Sequence, residues 1–321
     1  MGTLLILDFQ VYPIALKIRA PIQEKKGLLL YAKNSNGDVA WAEVSPLAGF
    51  SIETLDEAKD QLNSLRKEIL DPFFDITKKG GLYPSVAFGL DSLFYSLTHT
   101  VKKGTSYPVC AFLAGSFKEI ESQIYFLLQE GYQHIKLKVA QLSFEEAHQV
   151  IEQLLGKVSL KIDVNRAWNL KKSLSFFSRY PLDAFEYIEE PVDDIKDLSF
   201  FPYPIALDET LREGFQPAGF PQIKALIVKP MLTGGLKSIQ KIVDLSKQIK
   251  AQLVLSSSYE SGVGLFHLCS LLDRAKIPLY PLGVDTYRLI HQDVLVKPHD
   301  FSGGRLLLSA LEISDKEFMC Q

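Results

Sequence analysis

The chain has 321 residues, 47% hydrophobic and 23% charged, an ordinary globular mixture. With 35 basic against 38 acidic residues its net charge is −3, which argues against a nucleic-acid-binding face or a polybasic membrane patch. No apolar run reaches the ~18 residues of a membrane span, and the N-terminus shows no basic-then-apolar signal pattern.

The three cysteines, Cys110, Cys269 and Cys320, are scattered, fit no metal-ligand spacing and read as reduced thiols. A cytoplasmic protein is expected, either a monomer or a small homo-oligomer. The length suits one (β/α) barrel of about 250 residues with a smaller appended domain.

Residues 3–17 read as a β-rich entry. Residues 27–42 read as a hairpin turning at Asn34-Ser35-Asn36-Gly37-Asp38. Ser45-Pro46-Leu47-Ala48-Gly49-Phe50-Ser51 follows, a loop of turn formers carrying Leu47 and Phe50. Two readings are open for it: a surface turn with a hydrophobic plug, or a lid over a site. A helix is predicted from about Ser51 with Leu55, Ala58 and Leu62 on its apolar face, and another from Pro84-Ser85 with Ala87, Leu90, Leu93 and Leu97. This is an α+β unit ending near residue 100.

From about Tyr107 short apolar strands alternate with amphipathic helices. The strand candidates are residues 109–113, 134–139, 160–164, 184–188, 205–207, 225–228, 253–255 and 279–282, the eight that a closed parallel barrel needs. Residues 101–293 are assigned to the barrel. The segment 294–321 has no helix large enough to belong to it and is expected to return to the N-terminal unit.

In His134-Ile135-Lys136-Leu137-Lys138-Val139, period two places Ile135, Leu137 and Val139 on one face and Lys136 and Lys138 on the other. In a barrel that second face points at the axis, where two ammonium groups need opposing carboxylates. These stand at the ends of the following strands: Asp163, then Glu189-Glu190 before Pro191, then Asp208-Glu209. Lys229 before Pro230 and Ser256-Ser257-Ser258 end the next two. One acid after a strand is most often a helix cap. Three on consecutive strand ends, between flanking lysines, form a site for a hard cation, and Mg²⁺ suits carboxylates that leave positions for water and substrate. No histidine lies at a matching strand end, which argues against Zn²⁺; His134, His148, His267 and His299 read as ordinary strand, helix or loop residues. Strand parity alone does not choose between Glu189 and Glu190. The residue types point to abstraction of a proton next to a carboxylate, with Lys138 as base beside cations that lower its pKa, and Lys229 as a second acid/base or an electrostatic stabiliser.

K-x-K (Lys136, Lys138), D-x-N (Asp163, Asn165), E-E-P (Glu189 to Pro191), D-E (Asp208, Glu209) and K-P (Lys229, Pro230) together resemble the muconate-lactonizing subgroup of the enolase superfamily. Three further stretches resemble its o-succinylbenzoate synthase branch: residues 45–51, residues 84–90 (PSVAFGL) and residues 256–261 (SSSYES). The resemblance implies an α/β fold, a modified (β/α)₇β TIM-like barrel under an α+β capping domain of residues 1–100. It implies Mg²⁺, or Mn²⁺ in its place, held by Asp163, Glu189 and Asp208, and it selects Glu189 over Glu190. Lys138 then acts as the base that also helps a hydroxyl depart, and Lys229 stabilises the enolate face. Leu47, Phe50 and Ser51 cover a small carboxylate substrate, and Ser256 touches its succinyl end. Asn165, Ser257 and Gly283 are the remaining expected substrate contacts. Ala48 departs from the second proline expected in the lid loop.

The same site serves two competing chemistries. A dipeptide epimerase or N-acylamino acid racemase uses both lysines on opposite faces, although Gly283-Val284-Asp285 lacks the D-x-D expected of the epimerase. A metal-free aldolase makes a Schiff base at Lys229. A scaffold role is disfavoured by the intact charged set.

Overall fold

The computed structural model describes residues 5–19, 23–99 and 104–314. The start of the predicted entry strand, Cys320 and the boundary at residues 100–101 lie outside them.

Strands β1 (Ile6–Lys17), β2 (Glu24–Asn34) and β3 (Val39–Val44) form an antiparallel sheet in that order. The β2–β3 turn is set by Asn34, whose side-chain oxygen accepts from the N–H groups of Asn36 and Asp38. Helices α1 (Leu55–Ile69) and α2 (Pro84–Thr98) lie on this sheet and bury Leu62, Leu65, Val86, Leu90 and Leu93 against it. The first helix starts later than Ser51, because Thr54 caps it in a reciprocal capping box with Glu57.

The barrel begins with β4 (Ser106–Pro108), a short strand outside the main sheet, and β5 (Ala111–Leu113). There follow α3 (Phe117–Gln129), β6 (His134–Lys138), α4 (Phe144–Leu154), β7 (Ser159–Asp163), α5 (Leu170–Phe177), β8 (Tyr187–Glu189) and β9 (Ile205–Leu207). The series continues through α6 (Glu209–Arg212), β10 (Ile223–Val228), α7 (Pro230–Thr233), α8 (Leu236–Ile249), β11 (Gln252–Leu255) and α9 (Gly262–Arg274). Strands β5 to β11 hydrogen-bond in chain order as seven parallel neighbours. Alternation governs their faces. Ile135, Leu137, Ile162, Ile188 and Leu207 pack outward on the helices, while Tyr187, Ala206, Ala225, Ile227 and Val254 form a separate inner cluster.

The eighth predicted strand, residues 279–282, is not one. Pro278 and Pro281 flank and interrupt it and cannot donate to a ladder. What remains is a pair of bridges, Leu282 to Val109 and Gly283 to Ser256, which join the two edges of the seven-stranded sheet. The chain end splits its contacts. Strands β12 (Asp300–Ser302) and β13 (Arg305–Leu307) pair with each other and with β4. Val294 and Leu295 pack with Ile14, Leu16 and Leu29 of the N-terminal sheet.

Candidate active site

The period-two faces of the barrel strands bring the charged residues to one rim. Lys138 pairs across the ladder with Asp163, and Asp163 with Glu189, so three successive strand ends stand side by side. The Lys136 ammonium bridges two of them, 2.8 Å from Asp163 Oδ2 and 2.7 Å from Glu189 Oε1. Lys229 pairs with Asp208 Oδ2. Lys138 has no carboxylate partner among the described residues; its ammonium lies 5.7 Å from the centroid of the Phe112 ring. The structure therefore separates the two lysines of the K-x-K strand, one locked between acids and one facing the cavity.

The backbone at Glu190 resolves the E-E pair. Glu189 points inward, whereas Glu190 has left-handed backbone (φ 46°) and turns into the wall behind the site. There it accepts from Asp208 N at 2.7 Å, Thr210 N at 2.8 Å, Thr210 Oγ1 and Arg166 Nε at 2.9 Å. Glu190 thus holds the β9–α6 turn that carries Asp208. Sequence reasoning left this role open, and Arg166 was missed; the signal was a charged residue three places after Asp163 in a turn.

The cavity is about 220 Å³ and is walled by Lys136, Lys138, Asp163, Asn165, Glu189, Glu209, Lys229, Ser256, Ser257 and Gly283, with Leu47 and Phe50 above. Leu47 is buried and Phe50 half-exposed, as a lid residue at a mouth should be. Of the predicted site residues, Ser51 has another role and Asp208 is reached through Lys229. Ser51 is not on the wall; its hydroxyl accepts from Leu47 N at 2.9 Å and so shapes the loop. Asp208 is buried against Lys229, which lines the cavity, and its neighbour Glu209 lines the cavity too. Lys161 was overlooked, although it shares Asp163's parity. It is buried on the inner face, toward the N-terminal end of β7, and is paired 2.6 Å from Glu186.

The electrostatics fit a cation. Burial pushes the Glu189 carboxyl up to about 8, and the charges of Asp163 and Asp208 push the same way against Lys136. Among the described residues Glu189 Oε2 and Asp208 Oδ1 are buried without a hydrogen-bond partner, Asp208 Oδ1 having only the Arg212 guanidinium 3.5 Å away. Among the described residues no three acidic, histidine or cysteine side chains already converge as a formed metal centre, because the two lysines stand between the acids. The donor set nevertheless fits a hard divalent ion: oxygen only, three carboxylates, two of their oxygens without a hydrogen-bond donor among the described residues, and a Glu189 charge that burial destabilises. Lys136 is held cationic: burial opposes its charge, and Asp163 and Glu189 together outweigh that burial.

Residues 120–311 match the family described as "Enolase C-terminal domain-like", and residues 13–97 match "MenC, N-terminal domain". The chain is 27% identical over 287 residues to an o-succinylbenzoate synthase from Haemophilus influenzae, covering 85% of this chain and 86% of that protein. Its fold is similar to that of the L-Ala-D/L-Glu epimerase from Bacillus subtilis, with a TM-score of 0.80 at 17% identity over 96% of this chain and 98% of the other. It is also similar to the o-succinylbenzoate synthase from Thermosynechococcus elongatus BP-1 solved with Mg in the active site. There the TM-score is 0.74 at 21% identity, over 90% and 95% of the two chains. Among the described residues no helix is long and apolar enough to cross a membrane.

Proposed function

Since the chain belongs to the enolase C-terminal domain-like family, we propose that it catalyses the o-succinylbenzoate synthase reaction. In this reaction 2-succinyl-6-hydroxy-2,4-cyclohexadiene-1-carboxylate loses water to give 2-succinylbenzoate, a step of menaquinone biosynthesis. The observation that carries the mechanism is the asymmetry of the lysines: among the described residues Lys138 faces the cavity without an ion pair, whereas Lys229 is tied to Asp208.

Asp163, Glu189 and Asp208 are the residues to hold Mg²⁺, or Mn²⁺ in its place. A bound divalent cation supplies positive charge where the substrate carboxylate gains electron density. Lys138, as the free amine, takes the proton from the carbon next to that carboxylate. The resulting ammonium then gives a proton to the hydroxyl on the adjacent ring carbon, which leaves as water, and the ring becomes aromatic. Lys136 stays protonated and keeps Asp163 and Glu189 in place. Lys229 presents its charge from the opposite side and stabilises the enolate. Leu47 and Phe50 exclude water, and Asn165, Ser256, Ser257 and Gly283 line the wall available to the succinyl arm.

The same asymmetry disfavours two-base epimerisation, in which both lysines must exchange protons freely. It also disfavours a Schiff base, because a Lys229 ammonium paired with Asp208 is a poor nucleophile. This reading divides the chain into a cap of residues 1–100 with part of 294–321, and a barrel of 101–293. It carries with it a cytoplasmic location and a monomer or small homo-oligomer.

The test is turnover of the cyclohexadiene acid followed by absorbance, first with Mg²⁺ and then with excess EDTA. Metal-dependent turnover is expected. Absence of turnover, with Mg²⁺-dependent exchange of the α-proton of dipeptides or N-acylamino acids in D₂O, replaces this substrate with the epimerase or racemase alternative. Turnover indifferent to EDTA removes the metal assignment.

A further inference from the structure

A second set of buried charges lies outside the mechanism, where the N-terminal sheet meets the barrel. Lys25 on β2, Glu43 at the end of β3 and Glu260 after β11 are all buried, at 4%, 1% and 2% exposure. Glu43 spans the boundary. One carboxylate oxygen, Oε1, accepts from the hydroxyl of Ser45, the first residue of the lid loop. The other, Oε2, accepts from the Ser261 hydroxyl, from Ser261 N at 2.9 Å and from Gly264 N at 3.1 Å, all at the N-terminus of α9. The Lys25 ammonium donates to the carbonyl of Ser258, and Glu260 accepts from Ser258 N and the Ser258 hydroxyl, both at 2.6 Å. Between these anchors Tyr259 is held at φ 66°, a conformation costly for a tyrosine. Ser256, Ser257, Ser258 and Tyr259 all line the cavity, facing Leu47 and Phe50 of the lid.

The surroundings leave this segment little room to shift. A Cβ on Gly27 comes within 2.8 Å of Ser45 Cβ, one on Gly89 within 2.8 Å of the Glu43 carbonyl, and one on Gly264 within 2.8 Å of Glu43 Oε2. Glycine at these three sites lets strand β2 and helices α2 and α9 close on residues 43–45. Burial pushes the Glu43 carboxyl up and the Lys25 ammonium down, so both charges depend on their hydrogen bonds rather than on solvent.

We propose that Glu43, supported by Lys25, is a positioning residue for the substrate: it couples the lid loop of residues 45–51 to the wall of residues 256–261, so that both sides of the cavity opposite the carboxylate rim hold one geometry. This rests on the function proposed above, because it concerns the arm of the substrate remote from the reacting carbon. Glu43 touches neither the substrate cavity nor the reacting atoms. Its removal acts on ground state and transition state alike, which appears in KM and not in kcat.

The experiment compares Glu43→Ala, Glu43→Gln and Ser45→Ala with wild type, in steady-state kinetics on the cyclohexadiene acid and in amide hydrogen exchange without substrate. For Glu43→Ala the expected result is a rise in KM of roughly tenfold or more with kcat within about twofold, the signature of lost uniform binding. Residues 45–51 and 256–261 should exchange faster together. Glu43→Gln should recover most of the KM, since its amide oxygen can accept from Ser261 and Gly264 while its nitrogen donates to Ser45. Ser45→Ala deletes one hydroxyl and carries the test if Glu43→Ala does not fold; its KM should rise several-fold. An unchanged KM in the folded variants, or a fall in kcat alone, overturns the proposal. If wild type does not turn over the acid, the function proposed above fails on its own. Exchange then decides: joint loosening of both loops upholds the coupling, and loosening of one loop alone, or of neither, overturns it.

Discussion

Lys136 and Lys138 are two residues apart on one strand, and the structure gives them opposite consequences when removed. Lys136→Ala takes the shared ammonium from Asp163 and Glu189, both 1% exposed, and leaves two buried carboxylates facing each other. Breaking a buried pair in this way costs about 3–5 kcal/mol. At roughly 2 °C per kcal/mol for a chain of this size, the expected fall in Tm is about 6–10 °C. Mg²⁺ should narrow the gap, because the variant has more uncompensated negative charge and gains more from the ion; saturation at 100 times Kd is worth about 2.7 kcal/mol. Lys138→Ala removes no ion pair, so its Tm should stay near wild type, with a change of about 0.5–1 kcal/mol from the lost contact with Phe112. Turnover should instead fall by about 10²–10⁴-fold or more, since one group both takes and returns the proton. Thermal melts with and without Mg²⁺, paired with absorbance kinetics, read both quantities. Retained turnover in Lys138→Ala, or equal destabilisation of the two variants, refutes the division of labour.

Other outcomes follow from groups around the site. Lys161→Met strands Glu186 beside His134; it should lower stability by about 3–5 kcal/mol in denaturant melts while leaving KM unchanged. His267 is fully buried and donates from Nε2 to the Trp41 carbonyl, and burial lowers its pKa to about 4. Unfolded histidine titrates near 6.5, so the unfolded chain binds the extra proton between these values. Stability from the neutral ring is complete above about pH 6.5 and is lost as pH falls toward 4, by up to about 3 kcal/mol; His267→Gln should flatten that part of the curve. Glu190→Ala frees Arg166 and the backbone N–H groups of Asp208 and Thr210. Its Mg²⁺ affinity, measured by calorimetry, should fall by about 10–100-fold, the usual effect of removing a group that orients a metal ligand.

Much of this was legible in the residue pattern. Alternation along residues 134–139 determined which lysines face the axis, and the spacing of Asp163, Glu189, Asp208 and Lys229 placed each at a strand end, because period and βα length are local properties of the chain. Three things needed the third dimension. The eighth strand was read from its apolar run, yet prolines and barrel closure reduced it to two bridges. Strand parity leaves Glu189 and Glu190 equivalent, the family resemblance alone favours Glu189, and it is the turn at Glu190 that sends one inward and the other behind the wall. Lys136 and Lys138 share a face, and register sets Lys138 opposite Asp163, yet in the folded barrel it is the Lys136 ammonium that reaches both Asp163 and Glu189 while that of Lys138 lies near Phe112. The Glu43 network lies furthest from local pattern: it joins residues more than two hundred positions apart, Ser261 and Gly264 to Glu43. A buried carboxylate has meaning only through the donors that folding brings to it.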